Sequence, residues 1–118
     1  MYVCVCAVRM SYVYVCVDCA SVFLNDGIYG GLVDLRDMGL TGRVRVVCSN
    51  GQARIGKPVP RSIFGPTCDS LDRLPGALGL PEDTQSGDYV LFDGLGAYSV
   101  AMSTQFNGYG LSEIVTVR

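Results

Sequence analysis

The chain has 118 residues, enough for one domain with a modest core. A net charge of -2 with 17% charged residues leaves no basic stripe for a phosphate backbone, which argues against nucleic acid as a partner. Histidine is absent, and with it go the commonest general base, any Ser-His-Asp or Cys-His nucleophile system and most zinc sites that mix nitrogen with sulfur. Thiol, carboxylate, phenol or a borrowed cofactor must carry whatever chemistry there is.

The stretch Met1 to Val17 is apolar enough to raise a membrane question, but Arg9 lies at its centre and valine and tyrosine dominate it. A central arginine costs about 3 kcal/mol on insertion scales, and the run is at the lower length limit for a spanning helix. Strands fit better. Val13, Val15 and Val17 would face one side, with Tyr12, Tyr14 and Cys16 on the other, so the strand is expected to be covered on both faces. Cys4 and Cys6 lie among these valines, where cysteine behaves as a small hydrophobe. Cys16-Val17-Asp18-Cys19 has metal-like or redox spacing, yet buried free thiols are the expected state of all four. Nothing resembles a secretory signal, and a reducing cytoplasm is the expected compartment.

Further along, Asp18 to Ser21 reads as a turn and Val22-Phe23-Leu24 as a strand ending at the turn signal Asn25-Asp26-Gly27. Arg43 to Val47 alternates basic residues with valines, a strand with one exposed face. Ser49-Asn50-Gly51 is a turn and Gly56 to Pro60 a loop, after which Arg61-Ser62-Ile63-Phe64 is a short strand leading to the corner Gly65-Pro66 and then Cys68. Ser70 to Leu74 has room for one helical turn before Pro75, Gly76, Gly79 and Pro81 break anything longer. Tyr89 to Phe92 and Ile114 to Val117 complete the strands. Many short strands with frequent glycine turns predict an all-β domain, a modified Greek-key barrel or sandwich with one or two short helical turns.

Phe64-Gly65-Pro66-Thr67-Cys68-Asp69-Ser70 places a thiol and a carboxylate side by side after a rigid corner. Asn25-Asp26-Gly27-Ile28-Tyr29-Gly30 precedes it, and Gly96-Ala97-Tyr98 and Phe106-Asn107-Gly108 follow. In this order and spacing the four motifs resemble the carboxy-terminal domain of the pyridoxal-phosphate-dependent ornithine/diaminopimelate/arginine decarboxylases, most closely the ornithine decarboxylase branch. The resemblance runs from about Met10 to Arg118 and leaves residues 1–9 poorly matched, while a family TIM barrel, typically about 250 residues, is missing from the sequence.

The resemblance implies that Cys68 reprotonates the substrate carbon after carbon dioxide is lost. The residues agree, because the neighbouring Asp69 carboxylate disfavours a thiolate and keeps Cys68 a proton donor in a poorly solvated site. By the same resemblance Asp69 meets the distal ammonium of the substrate, with Asp37 as a second carboxylate for it. The pair reaches across a homodimer interface, Tyr98 contacts the cofactor phosphate, and Tyr29 and Phe106 lie near that interface. Read without it, Cys68 is a buried cysteine beside a turn, Asp69 a turn-capping aspartate, Asp37 a solvated loop carboxylate, and the three aromatics are core residues. Diaminopimelate decarboxylases usually carry Cys-Glu and Tyr-Asn where this chain has Cys68-Asp69 and Phe106-Asn107, so a diamine-forming substrate such as ornithine or lysine is expected.

The cofactor lysine is the gap. Lys57 is the sole lysine and sits between Gly56 and Pro58, without the barrel-strand setting of a Schiff-base lysine. Gly27 to Gly31 is glycine-rich, but no helix is expected after it to hold a phosphate. The isolated chain is therefore expected to be inactive. It is either the carboxy-terminal half-site of an ornithine decarboxylase or a non-catalytic module that docks on an intact one.

Overall fold

A computed structural model describes residues 5–15, 20–39, 43–95 and 98–109. In chain order it has strands β1 (Val5–Val15) and β2 (Ala20–Leu24), helix α1 (Val33–Met38), and strands β3 (Val44–Val47), β4 (Pro58–Phe64), β5 (Leu78–Pro81) and β6 (Tyr89–Asp93). Helix α2 (Tyr98–Ala101) and a 3-10 turn at Phe106–Gly108 follow. The domain is all-β with short helical pieces, as expected.

The strands run in the order β3-β6-β1-β2-β4-β5. β1 is the pivot, because its first part, Val5 to Arg9, pairs antiparallel with β6 while Met10 to Val15 pairs antiparallel with β2, with a register shift between Met10 and Tyr12. Such a shift bends a strand and lets it pass from one sheet direction to another. Two half-sheets result, and they fit a sandwich; among the described residues no ladder joins the outer strands β3 and β5 into a closed barrel.

Alternation builds the core. Val22 and Leu24 on β2, Ile63 on β4, Leu80 on β5, Val46 on β3, and Val90 and Phe92 on β6 are all buried. Their strand neighbours Phe23, Leu91 and Arg45 are half-buried or exposed. Ile28, Leu32, Leu35, Leu74 and Leu95 close the cluster from the connecting segments. The alternation expected for Arg43 to Val47 holds, with Arg43 and Arg45 exposed and Val46 buried.

Five local expectations change. Pro58 to Pro60, expected as loop, belongs to β4, and β5 runs through Gly79 and Pro81, which were expected to act only as breakers. Ala20 and Ser21, expected in a turn, open β2. Ser70 to Leu74 forms no helical turn: the Asp72 amide donates to the Asp69 carbonyl at 3.0 Å and Arg73 then bridges to Phe64. A helix does follow Gly27 to Gly31, namely α1, but the backbone N–H of Gly31 donates to the Asp26 carboxylate at 3.0 and 3.2 Å. Gly30 is needed for that fold-back, since a Cβ on it would fall 1.9 Å from Asp26 Oδ1. Cys4, Cys16, Cys19 and Ile114 to Val117 lie outside the described residues, and Cys6 is described only by its backbone, which pairs with Phe92.

Candidate active-site face

The Cys68 loop is fastened at its base and open at its tip. β4 ends at Phe64, and the chain returns so that Gly65 N donates to Asp72 O at 2.8 Å and Leu74 N to Ile63 O at 3.0 Å. Within the loop, the buried Asp72 carboxylate accepts Thr67 N at 3.0 Å and, from the segment after β2, Ile28 N at 3.2 Å. Gly27 and Gly65 make room for it, since a Cβ on either would stand 2.2–2.3 Å from Asp72 Oδ1. Asp72 thus ties the loop carrying Cys68 to the loop carrying Tyr29.

At the tip Asp69 uses both oxygens. Oδ1 accepts Leu71 N at 2.9 Å, the turn-capping role open to any aspartate there, and Oδ2 accepts the Tyr29 hydroxyl. The Tyr29 hydrogen bond, with the Leu71 amide behind it, holds the Asp69 carboxyl below the usual carboxylate range. The same bond pushes the Tyr29 phenol up, because ionisation would set two anions face to face. Asp69 is therefore a carboxylate at neutral pH.

The other side is built from the segment after α2. Thr104 donates to the Tyr29 carbonyl through both its amide, at 2.7 Å, and its hydroxyl, at 2.8 Å. This sets the Phe106 ring against the Tyr29 ring, with centroids 4.6 Å apart and planes tilted by 33°. The next residue, Asn107, directs its side-chain amide to Cys68 Sγ at 3.1 Å. Cys68 is exposed rather than buried.

Cys68, Asp69, Tyr29 and Phe106 are thus gathered on one face. Asp37 lies on the exposed side of α1, where Arg36 holds it at 2.9 and 3.0 Å and lowers its pKa by that hydrogen bond. Tyr98 opens α2 and is described by its backbone alone; Gly96 and Ala97 lie outside the described residues. Thr104 and Asp72 were not singled out from the sequence, and Asn107 was quoted in its motif without a role of its own. The adjoining Asn-Gly was the available signal for a left-handed backbone at Asn107, whereas nothing local marks Asp72 as buried.

The hollow between Tyr29, Pro66, Thr67 and Thr104 measures about 10 Å³, room for a water and not for an amino acid. Lys57 is exposed and precedes β4, while Cys68 follows it. Seven residues at about 3.3 Å each separate the two ends of that strand, so one small substrate cannot touch both. The residues described do not fit pyridoxal phosphate as its covalent holder.

Over residues 2–96 the chain matches the family model described as pyridoxal-dependent decarboxylase, C-terminal sheet domain. The chain belongs to the ornithine/diaminopimelate/arginine decarboxylase family.

Among relatives of this decarboxylase domain, the chloroplastic ornithine decarboxylase of Nicotiana glutinosa is 36% identical over 104 residues, which is 80% of this chain and 23% of that protein. Ornithine decarboxylase of Mus musculus is 39% identical over 88 residues, covering 74% of this chain and 18% of that protein. The chain therefore spans about a quarter or less of the curated relatives it matches. Among solved structures, the arginine decarboxylase of Paramecium bursaria Chlorella virus superposes with a TM-score of 0.74 at 28% identity, over 91% of this chain and 28% of that one. A lysine/ornithine decarboxylase from Vibrio vulnificus, complexed with cadaverine, gives 0.71 at 26% identity over 92% and 30%. No described helix is long and apolar enough to cross a membrane.

Proposed function

We propose that this domain supplies the substrate end of an active site in a pyridoxal-dependent decarboxylase that converts ornithine, or lysine, to its diamine. The observation that carries the reading is the exposed Cys68-Asp69 tip, with a carboxylate fixed by Tyr29 and a thiol beside it. Asp69 is ionised at neutral pH and pairs with the distal ammonium of the substrate, a charge-assisted contact that selects a chain ending in a cation. Cys68 delivers its proton to the substrate carbon that has lost carbon dioxide, and the thiolate left behind regains a proton from solvent once the diamine has left. Pyridoxal phosphate, when bound, supplies the electron sink for the decarboxylation. Its lysine comes from another polypeptide segment, and Tyr98 is the residue of this chain assigned to its phosphate.

Because the face holds no substrate-sized hollow among the described residues, a second surface must close it. Leu71, Phe106 and Tyr109 are exposed at 67%, 43% and 46% on the segments that carry the site, which fits burial against a partner subunit, as in a homodimer. Asp37 stands as a second carboxylate for the ammonium in that closed site. The relatives from tobacco are named as chloroplastic, and for this chain a reducing, cytoplasmic compartment is proposed from its cysteines.

Co-expression with the barrel portion of the Nicotiana glutinosa enzyme tests this. Putrescine should form with the natural chain, fail to form with Cys68→Ala, and be absent from the 118-residue chain with added pyridoxal phosphate alone. Putrescine from the chain by itself, or equal activity with Cys68→Ala, would overturn the proposal. Association with the barrel portion without any putrescine would favour a docking module instead.

A further inference from the structure

We infer that a hollow between helix α1 and the base of the Cys68 loop binds a small, uncharged, apolar molecule about the size of a single ring. None of its lining residues lines the hollow beside Tyr29, and the inference does not depend on any role for Cys68 or Asp69.

The floor of this hollow is the core itself. Leu35, from the middle of α1, and Leu74, from the return of the Cys68 loop, are 3% and 8% exposed and belong to the buried cluster, and Leu78 at the start of β5 packs against it. Pro75 and Ala77, both exposed, stand at the mouth. Two glycines complete the described lining, Gly39 at φ 70° and Gly76 at φ 72°, both in the left-handed region where a side chain is strained. A Cβ on either would meet nothing within 4 Å, so the turns rather than crowding require glycine, and neither position places a side chain over the hollow.

The space measures about 120 Å³, against about 10 Å³ beside Tyr29. An apolar cavity of about 150 Å³ lined by aliphatic and aromatic side chains stays dry and takes up benzene or xenon. Here no described lining residue carries a polar or charged side chain, so water finds no side-chain partner and an ammonium or carboxylate would give up hydration without recompense. What fits is a ligand that adds apolar contacts to Leu35, Leu74 and Leu78. Its position also gives it a hold on the loop. Leu74 N donates to Ile63 O at 3.0 Å, one of the bonds that close the base of the Cys68 loop, while Leu35 anchors α1 in the core. An occupant resting on both side chains holds that base shut.

Benzene titrated into the full chain with isotope-labelled leucine methyls tests this by NMR. Leu35→Ile, Leu74→Ile and Leu78→Ile each remove one pair of leucine methyls and so assign the signals. Nuclear Overhauser contacts should run from benzene to these leucines, and their shifts should saturate with a dissociation constant of about 1 mM, an ordinary efficiency for a ligand of this size. N-methylpyridinium, a ring of similar size with a fixed charge, should bind at least about ten-fold more weakly. Exchange of the Leu74 amide should slow as benzene is added; an unchanged rate would overturn the hold on the loop base. Shifts that grow without saturating, contacts to other leucines instead, or equal affinity for the charged ring would overturn the site. So would loss of the benzene contacts once the barrel portion of the Nicotiana glutinosa enzyme is bound, since the hollow would then belong to a side chain of that partner. No substrate or cofactor is needed, so a failure here is distinct from a failure to form putrescine.

Discussion

Replacing Gly65 with alanine should unfasten the loop that carries Cys68. In most places such a change is mildly stabilising, by about 0.4–1 kcal/mol, when the backbone angles suit alanine. Gly65 is not among the glycines at positive φ, so its backbone gives no reason for loss. Space does: the new methyl would lie 2.2 and 2.4 Å from the two Asp72 carboxylate oxygens and 2.5 Å from Cγ. Asp72 is 1% exposed and cannot swing into solvent without parting from Thr67 N and Ile28 N. Each hydrogen bond to a charged acceptor contributes about 1.5–3 kcal/mol, so losing both costs roughly 3–6 kcal/mol. Urea unfolding of the two chains measures it through the transition midpoint at constant slope. The double variant Gly65→Ala with Asp72→Ala completes a cycle in which the glycine change should become nearly neutral, because the atoms it strikes are gone. A Gly65→Ala loss below about 1 kcal/mol, or an equal loss with and without Asp72, would refute the assignment of Asp72 as the tie between the two loops.

Three further outcomes follow from contacts already described. The Tyr29 phenol is raised by its bond to Asp69, so stability from that contact is full below the ordinary phenol range and lost as pH rises through the folded value; the wild-type minus Tyr29→Phe phenolate absorbance should titrate above free tyrosine and move down in Asp69→Asn. Arg54 holds the buried Asp88 carboxylate through two contacts at 2.9 Å, so Arg54→Met should lower the urea midpoint, whereas Arg36→Met, beside the exposed Asp37, should leave it unchanged. Phe92→Ala empties the centre of the core, where Phe92 is 1% exposed, and should cost about 3–5 kcal/mol in the same assay.

Alternation made Arg43 to Val47 legible as a strand, and short apolar runs beside turn residues did so for Val22 to Leu24 and Tyr89 to Phe92; each buries one face in the fold. Proline misled the reading of β4 and β5 because its meaning depends on which edge of a strand is free. Pro58 to Pro60 pair only toward β5, the parallel pairing with β2 beginning at Arg61, and Pro81 lies on the outermost strand. A residue without an N–H is tolerated where none is required, and no local pattern states that in advance. The site divides in the same way. Cys68, Asp69 and Tyr29 stand in compact motifs, but Asp72 has the spacing of a surface turn, and its burial arises from two glycines, one of them in a distant segment. Asp37 carries a suitable group in its segment, yet Arg36 holds it on the exposed side of α1.

The long strand β1 has a consequence for how the molecule assembles. One end pairs with its neighbour in sequence, β2, and can zip early; the other waits for β6, the last of the described strands to be made. Loop closure over that span is slow, so the folding rate should be set by the docking of β6 rather than by the first hairpin. During synthesis the amino-terminal half of β1 is left as an unpaired edge rich in valine, open to the same edge on another nascent chain.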